Sequence, residues 1–415
     1  MNFDVPIFES GPKTFRQPAP IIGWALEPLM RLDRAGARGL VSDLMVFSPL
    51  RRQAAFATAA EMLKHGQSAL HALCSPFGLA TSEVCVGQVL RQHRARDVIG
   101  ALYGIQPSAV PGGYLRALLR VQEAKAEGAG IEPFAQPTAY RRLFEIYTQD
   151  GHGPAAHAIR FVGRLRALHL RAVDQLDPVL ILPEVLKGMH GPDTIQAANR
   201  LLKLLRVSVP SADDTAFRAA LRQSLSRDEP LRQFGCRMLE RADRLPVPDL
   251  PPLEGLRVLG SAAEVEQFAE EMSNCVASYL VEVAIGLKLI CAYDFADEAG
   301  ATISLAILLA PMTDGGWEID QIAGKNNEGP AKPVLRAALQ RLMSIGLRVS
   351  GPAPGGVYDR RMAELLGHHP GYRYGDTLAD ALGEPDRDLP GSRGGGAAKR
   401  LVGIEEAPRP IVEAA

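Results

Sequence analysis

From about residue 20 to about residue 245, apolar side chains return every three or four positions, the spacing that lays a stripe along one face of a helix. The stretch "AAFATAAEMLKHGQSALHALC" does so, as do "GYLRALLRVQEAKA", "AYRRLFEIYTQ", "AHAIRFVGRLRALHLRAV", "TIQAANRLLKLLRV", "AFRAALRQSL" and "PLRQFGCRMLERAD". Between them "GIQPSAVPGG", "EGAGIEPFAQP" and "KGMHGPD" gather Gly and Pro, which remove the helical option. No fixed repeat period links these segments, so a solenoid is not expected. The pattern changes after "DRLPVPDLPPLEG", whose prolines favour an extended spacer. There "LRVL" reads as a short strand, and Ser261 with Glu264 forms a capping box that opens a helix. The runs "LKLICAYDF", "ATISLAILLA" and "WEIDQIAG" read as strands joined by hairpin-length turns, and "PVLRAALQRLMSI" returns to helical spacing.

The fold class this predicts is α+β. An irregular arm covers 1–19, a mainly helical domain 20–245 and a Pro-rich linker 246–255. A small α+β domain follows over 256–384, with a three- to four-stranded antiparallel meander flanked by helices that pack on one sheet face. Short helices are expected at "RRMAELLG" and "GDTLADAL", and a disordered tail over 385–415, rich in Gly, Pro and charge.

Composition narrows the class. With 415 residues, 47 % apolar and 22 % charged, the chain is a globular protein of more than one core and not a disordered one. The formal net charge is −1, yet residues before about 250 carry an excess of roughly seven positive charges and the remainder a similar negative excess. That asymmetry permits an anionic partner. Five cysteines without a CxxC pair argue against a disulfide framework and a zinc ribbon, and fit a reducing compartment. The start lacks the regions of a signal peptide and no apolar run approaches the ~18 residues needed to span a bilayer, so a cytoplasmic location without membrane contact is expected. No cofactor or metal motif stands out: His65 and His71 lack a neighbouring carboxylate at ligand spacing, and the loop at Gly324 is not a Walker A sequence.

Candidate chemistry concentrates in "EEMSNCVASYLVEVAIGLKLI" and "WEIDQIAGKNNEGP". On a continuous helix, Met272, Cys275, Val276, Tyr279 and Val283 share one face, which makes Cys275 either a small buried hydrophobe or a candidate nucleophile. Alternation puts Trp317, Ile319 and Gln321 on one strand face, so Gln321 needs a partner or a cavity. In the following loop, Gly324 can take a positive φ, Asn326 and Asn327 can turn or cap, and Lys325 brings a cation towards the next helix's N-terminus. The same loop also reads as an ordinary strand-to-helix turn.

"MSNCVASYLVEVAIGLKLICAYDF", "ATISL" and "WEIDQIAGKNNEGP" together resemble the shared block of the PcfJ-like family, named from a component of conjugative plasmid transfer systems. The resemblance spans roughly residues 255 to 345 and is carried by Met272, Cys275, Val276, Tyr279, Gly286, Gln321, Gly324, Asn327 and Pro330. Family members often place a histidine just before the cysteine, where this chain has Ser273 and Asn274. The resemblance implies association with mobile elements and DNA transfer, and with DNA or a conjugation protein as partner; it implies no particular reaction.

Three roles follow. The first is a nucleic-acid-associated accessory protein, contacting phosphates through basic helical residues such as Arg160 and Arg164. The second is a Cys-dependent enzyme with Cys275 as nucleophile, Gln321 or Asn327 polarising a carbonyl, and a base drawn from as far away as His368 and His369. The third is a peptide- or small-ligand-binding module that uses Tyr279, Gln321, Gly324, Lys325, Asn326 and Asn327.

Overall fold

The computed structural model describes residues 18–121, 137–227, 230–296, 300–349 and 360–368. Most of the expected arm, the breaker "EGAGIEPFAQP", the helix at "GDTLADAL", His369 and the tail from 385 lie outside the described residues. The rest is α+β, as the periodicities require: helices from Leu26 to Leu239, then a four-stranded antiparallel sheet flanked by helices.

The helical region is organised around Pro49–His65. Ser48 caps it, its hydroxyl accepting from the Arg51 N–H at 3.4 Å, Pro49 sits in its first turn, and Gly66 (φ 51°) ends it. Residues Arg52 to Glu61 are buried in succession, so this helix is enclosed on all sides and does not show the single stripe expected of it. Five alanines in that span let neighbours approach closely. Three long polar side chains are buried with them, and each is satisfied. Arg52 donates to the carbonyls of Ala19 (2.5 Å) and Pro20 (2.6 Å), Gln53 accepts from the Tyr140 hydroxyl (2.8 Å), and Glu61 takes a paired contact from Arg141 (3.0 and 2.5 Å). Gly66 also splits "AAFATAAEMLKHGQSALHALC" into two helices, the second being Gln67–Cys74.

The stretch "AHAIRFVGRLRALHLRAV" is not one helix either. Pro154–Arg160 stops, residues 161–166 run without helical pairing, and Ala167–Gln175 begins anew. Arg160 and Arg164 therefore do not lie on one helix, and Arg164 is not a helical residue. His169 in that second helix is buried, its Nδ1 accepting the Arg166 N–H at 3.1 Å, and burial pushes it down to about 4.

In the sheet, β1 (Leu256–Val258), β2 (Leu289–Ala296), β3 (Thr302–Pro311) and β4 (Trp317–Ala323) lie in sequence order, every pair antiparallel. The capping box at Ser261 is present: Ser261 Oγ accepts the Glu264 N–H at 3.2 Å and the Glu264 carboxylate accepts the Gly260 N–H at 2.8 Å, opening Ala262–Met272. Helices cover both faces of the sheet, not one. Outer-face residues Leu289, Cys291, Leu305, Ile307, Leu309, Ile319 and Ile322 pack with Ala338, Leu339 and Leu342 of Lys332–Ser344. Inner-face residues Ile290, Ala292, Ala306 and Leu308 join one apolar cluster that reaches through Leu280 and Phe234 into the helical region.

The Pro-rich stretch is packed, with Val247, Leu250 and Leu253 lying on the outer core and the Leu245 N–H donating to the Gly260 carbonyl at 2.7 Å. The expected helix at "RRMAELLG" forms as Arg360–Leu366, and Met362, Ala363 and Leu366 enter the larger cluster alongside the helical region. Beyond β4, the chain near Arg348 runs beside the strand, the Ile319 N–H donating to the Arg348 carbonyl at 2.7 Å.

Candidate functional site

Cys275 and Asn327 meet. The helix carrying Met272 ends at Ser273, which adopts a left-handed conformation (φ 48°, ψ 48°), so Cys275 is not on its face. The Asn274 carboxamide oxygen accepts the Val276 N–H at 3.2 Å, turning the chain into the short 3₁₀ segment Val276–Tyr279. The Asn274 Nδ2 is buried without a partner. This turn exposes Cys275, the opposite of the burial that a continuous helix implied. Its N–H and its Sγ both lie on the Asn327 Oδ1, at 3.2 and 3.4 Å. No imidazole is among its hydrogen-bond partners in the described residues.

The loop after β4 differs from expectation in where it places strain. Gly324 is extended (φ −87°, ψ −163°), and the positive φ values fall on Asn326 and Asn327, both 59°. The Gly324 N–H donates to the Glu328 carbonyl at 2.7 Å, and a Cβ at 324 would sit 3.3 Å from that oxygen, so the glycine serves close approach. Lys325 is exposed, and the next helix begins only at Lys332, with Pro333 and not Pro330 in its first turn. Lys325 is therefore not seated at that helix's end.

Gln321 is moved by a bulge. Register shifts between Leu308 and Leu309, so Leu309 faces Ile319 while Leu308 faces Gln321, and Asp320 is the extra residue. Gln321 thus lies on the inner face with Leu308, opposite to Ile319. The extra residue is itself paired: Asp320, buried, holds Lys288 Nζ at 2.6 Å. Tyr279 is half-buried against the larger core. Two clefts, of ≈ 570 and ≈ 350 Å³, are lined by other residues than Cys275, Gln321 or the 324–327 loop.

A second constellation lies in the helical region, and the sequence reading names two of its members, Arg160 and Arg164. Arg116 and Arg120, from the end of Gly112–Leu118 and just after it, and Arg160 are within electrostatic reach of Tyr147; burial raises that phenol, and Arg120, Arg116 and Arg160 each pull it back. Arg120 Nη1 donates to the carbonyls of Ile159, at 2.9 Å, and of Val162, which fixes the guanidinium against the end of the Pro154–Arg160 helix. Arg160 sits 5.7 Å from the centroid of the Phe161 ring. Phe161 is 51 % exposed, unusual for a large aromatic. Arg164 is exposed three residues on. The carboxylate of Asp150 rests on Gly153, at the other end of that helix. The signal in the sequence is "IRF": an exposed aromatic next to arginine, readable only once the helix is known to stop there.

No protein-family model, curated protein or solved structure matches the chain. Among the described residues no helix is long and apolar enough to cross a membrane.

Proposed function

We propose that the protein is a cytoplasmic, nucleic-acid-associated accessory protein that holds a phosphate backbone with Arg116, Arg160 and Arg164 and stacks a base on Phe161. The observation that carries this is Arg160 at 5.7 Å from the exposed Phe161 ring, in a stretch that also holds the exposed Arg164, the pairing used for single strands, where charge tracks the backbone and a ring receives bases of any sequence. The basic balance of the first 250 residues adds a favourable field. The PcfJ-like resemblance of residues 255 to 345 points to the same setting of DNA transfer, and five free thiols suit a reducing compartment.

The test is a titration of the full chain with single-stranded DNA, duplex DNA and RNA at several salt concentrations. Micromolar or tighter binding should weaken steeply with salt. Phe161→Ala should weaken single-strand binding about tenfold, within the ~1–3 kcal/mol that base stacking contributes. Arg160→Ala with Arg164→Ala should lower the salt slope by about one for each phosphate that is no longer neutralised. Binding that ignores both salt and these substitutions would refute the reading.

A further inference from the structure

Five helices leave a hollow between them. Pro183–Lys187, Pro192–Ser208, Asp214–Leu225, Leu231–Leu239 and Arg360–Leu366 all contribute side chains to the cleft of ≈ 570 Å³, a size within the range of small-ligand sites. Its wall is mostly apolar. Val185, Met189 and Ala197 are buried there, while Leu225, Leu231 and Leu365, from three different helices, are each only partly buried. In a close-packed interior such side chains cover one another. Here they line a space instead, and a ligand of matching character would remove that surface from water.

Besides His190, five charged side chains border this cleft, and they are not equivalent. Arg361 is engaged by Asp193 at 2.9 Å and by Glu364 at 3.4 Å, and Glu364 also receives Arg360 at 3.1 Å. Those charges neutralise one another. Arg232 has no hydrogen bond or ion pair among the described residues, yet it is held: its guanidinium lies against Gly367 (φ 75°), where a Cβ would strike its Cζ. Glu184, on Pro183–Lys187, is the fifth, and nothing comparable seats its carboxylate among the described residues. A guanidinium that is fixed and unpaired beside an apolar wall suits a carboxylate, whose two oxygens match two parallel N–H donors. Glu184 repels the same group and so favours the Arg232 side of the cleft.

We propose that this cleft binds a monocarboxylate with an unbranched apolar chain of medium length, its carboxylate on Arg232 and its chain along Leu225, Leu231 and Leu365. No bond is made or broken. Because Arg360–Leu366 forms one wall and helices of the helical region form the others, an occupant ties the returning chain to that region and raises the stability of the bound form by mass action.

The probe is octanoate, titrated into the full chain by calorimetry, with octylammonium and octanol as controls of opposite and zero charge. Octanoate should bind about tenfold more tightly than either, the contribution of hydrogen bonds to a charged partner. Hexanoate and butanoate should bind progressively more weakly, roughly fourfold for each methylene removed. Arg232→Gln should weaken octanoate about tenfold and leave octanol unchanged. Leu225→Trp, which fills the hollow, should abolish binding of all three while melting stays cooperative. Wild-type protein that shows no octanoate binding up to about 1 mM, or that binds octylammonium or octanol as tightly, overturns the proposal, and neither result depends on a variant folding. Octanoate affinity that Arg232→Gln leaves unchanged overturns it as well.

Discussion

On the outer face of the sheet the cross-strand rows read Leu289, Leu309, Ile319 and Cys291, Ile307, Ile322; on the inner face they read Ile290, Leu308, Gln321 and Ala292, Ala306, Ala323. The outer rows are bulky because one helix, Lys332–Ser344, has to be gripped across a full layer. The alanine row lets the inner face come close to the segments from Met272 to Leu287, and so to the helical region. The outer face thus makes a local core, whereas the inner face makes the sheet part of the molecule's main one. A change of composition along the chain, such as the one at residues 246–255, marks a change of period and need not mark a break in packing.

The sharpest way to break this comparison is to attack the residue that separates the two faces in β4. Asp320→Ala removes the carboxylate that Lys288, partly buried at the edge of the ≈ 350 Å³ cleft, is paired with, and should cost about 3 kcal/mol, seen as a fall in the urea midpoint. Leu339→Ala removes the centre of the outer core and should cost about 2–5 kcal/mol in the same measurement. Acid tests the continuity of the inner core. His169 is neutral in the fold at about 4 and protonates at about 6.5 when unfolded, so the unfolded chain binds the extra proton between these values. Stability should therefore fall as pH drops from 6.5 towards 4, by on the order of 3 kcal/mol. In Trp24→Phe, whose remaining tryptophan is Trp317, sheet fluorescence and helical ellipticity should lose stability together. Two separate transitions would show that the sheet stands apart. Ala306→Leu, which overfills the inner layer, should cost about 1–3 kcal/mol.

Much of this architecture is legible in the sequence because its signals are local. The Ser261 box, the four strand runs and the glycine and proline breakers all act within a few residues. The features that are not legible depend on partners distant in sequence. Ser273 takes a left-handed conformation where nothing in "EEMSNCVA" demands one, and that choice decides whether Cys275 faces the core or Asn327. The bulge at Asp320 is equally hidden, since Trp317, Ile319 and Gln321 alternate in the sequence whether or not a residue is skipped. Glu282 with His368, and Cys236 with Leu366, show no spacing pattern at all; only the return of Arg360–Leu366 to the helical region brings each pair together.

At one side of the sheet stands β1, three residues long with Arg257 exposed at its centre; at the other, β4 is occupied by the chain around Arg348. Among the described residues, one border is only three residues long and the other has the Trp317 carbonyl and Ile319 N–H already bonded to Arg348, which shortens the row of vacant groups that a strand from another polypeptide would need in order to add on. Polymerisation by edge-to-edge strand pairing is thereby opposed. A peptide extending this sheet would find three residues at β1 and the Trp317 carbonyl and Ile319 N–H of β4 already bonded, so side-chain recognition would carry more of a protein partner's binding there.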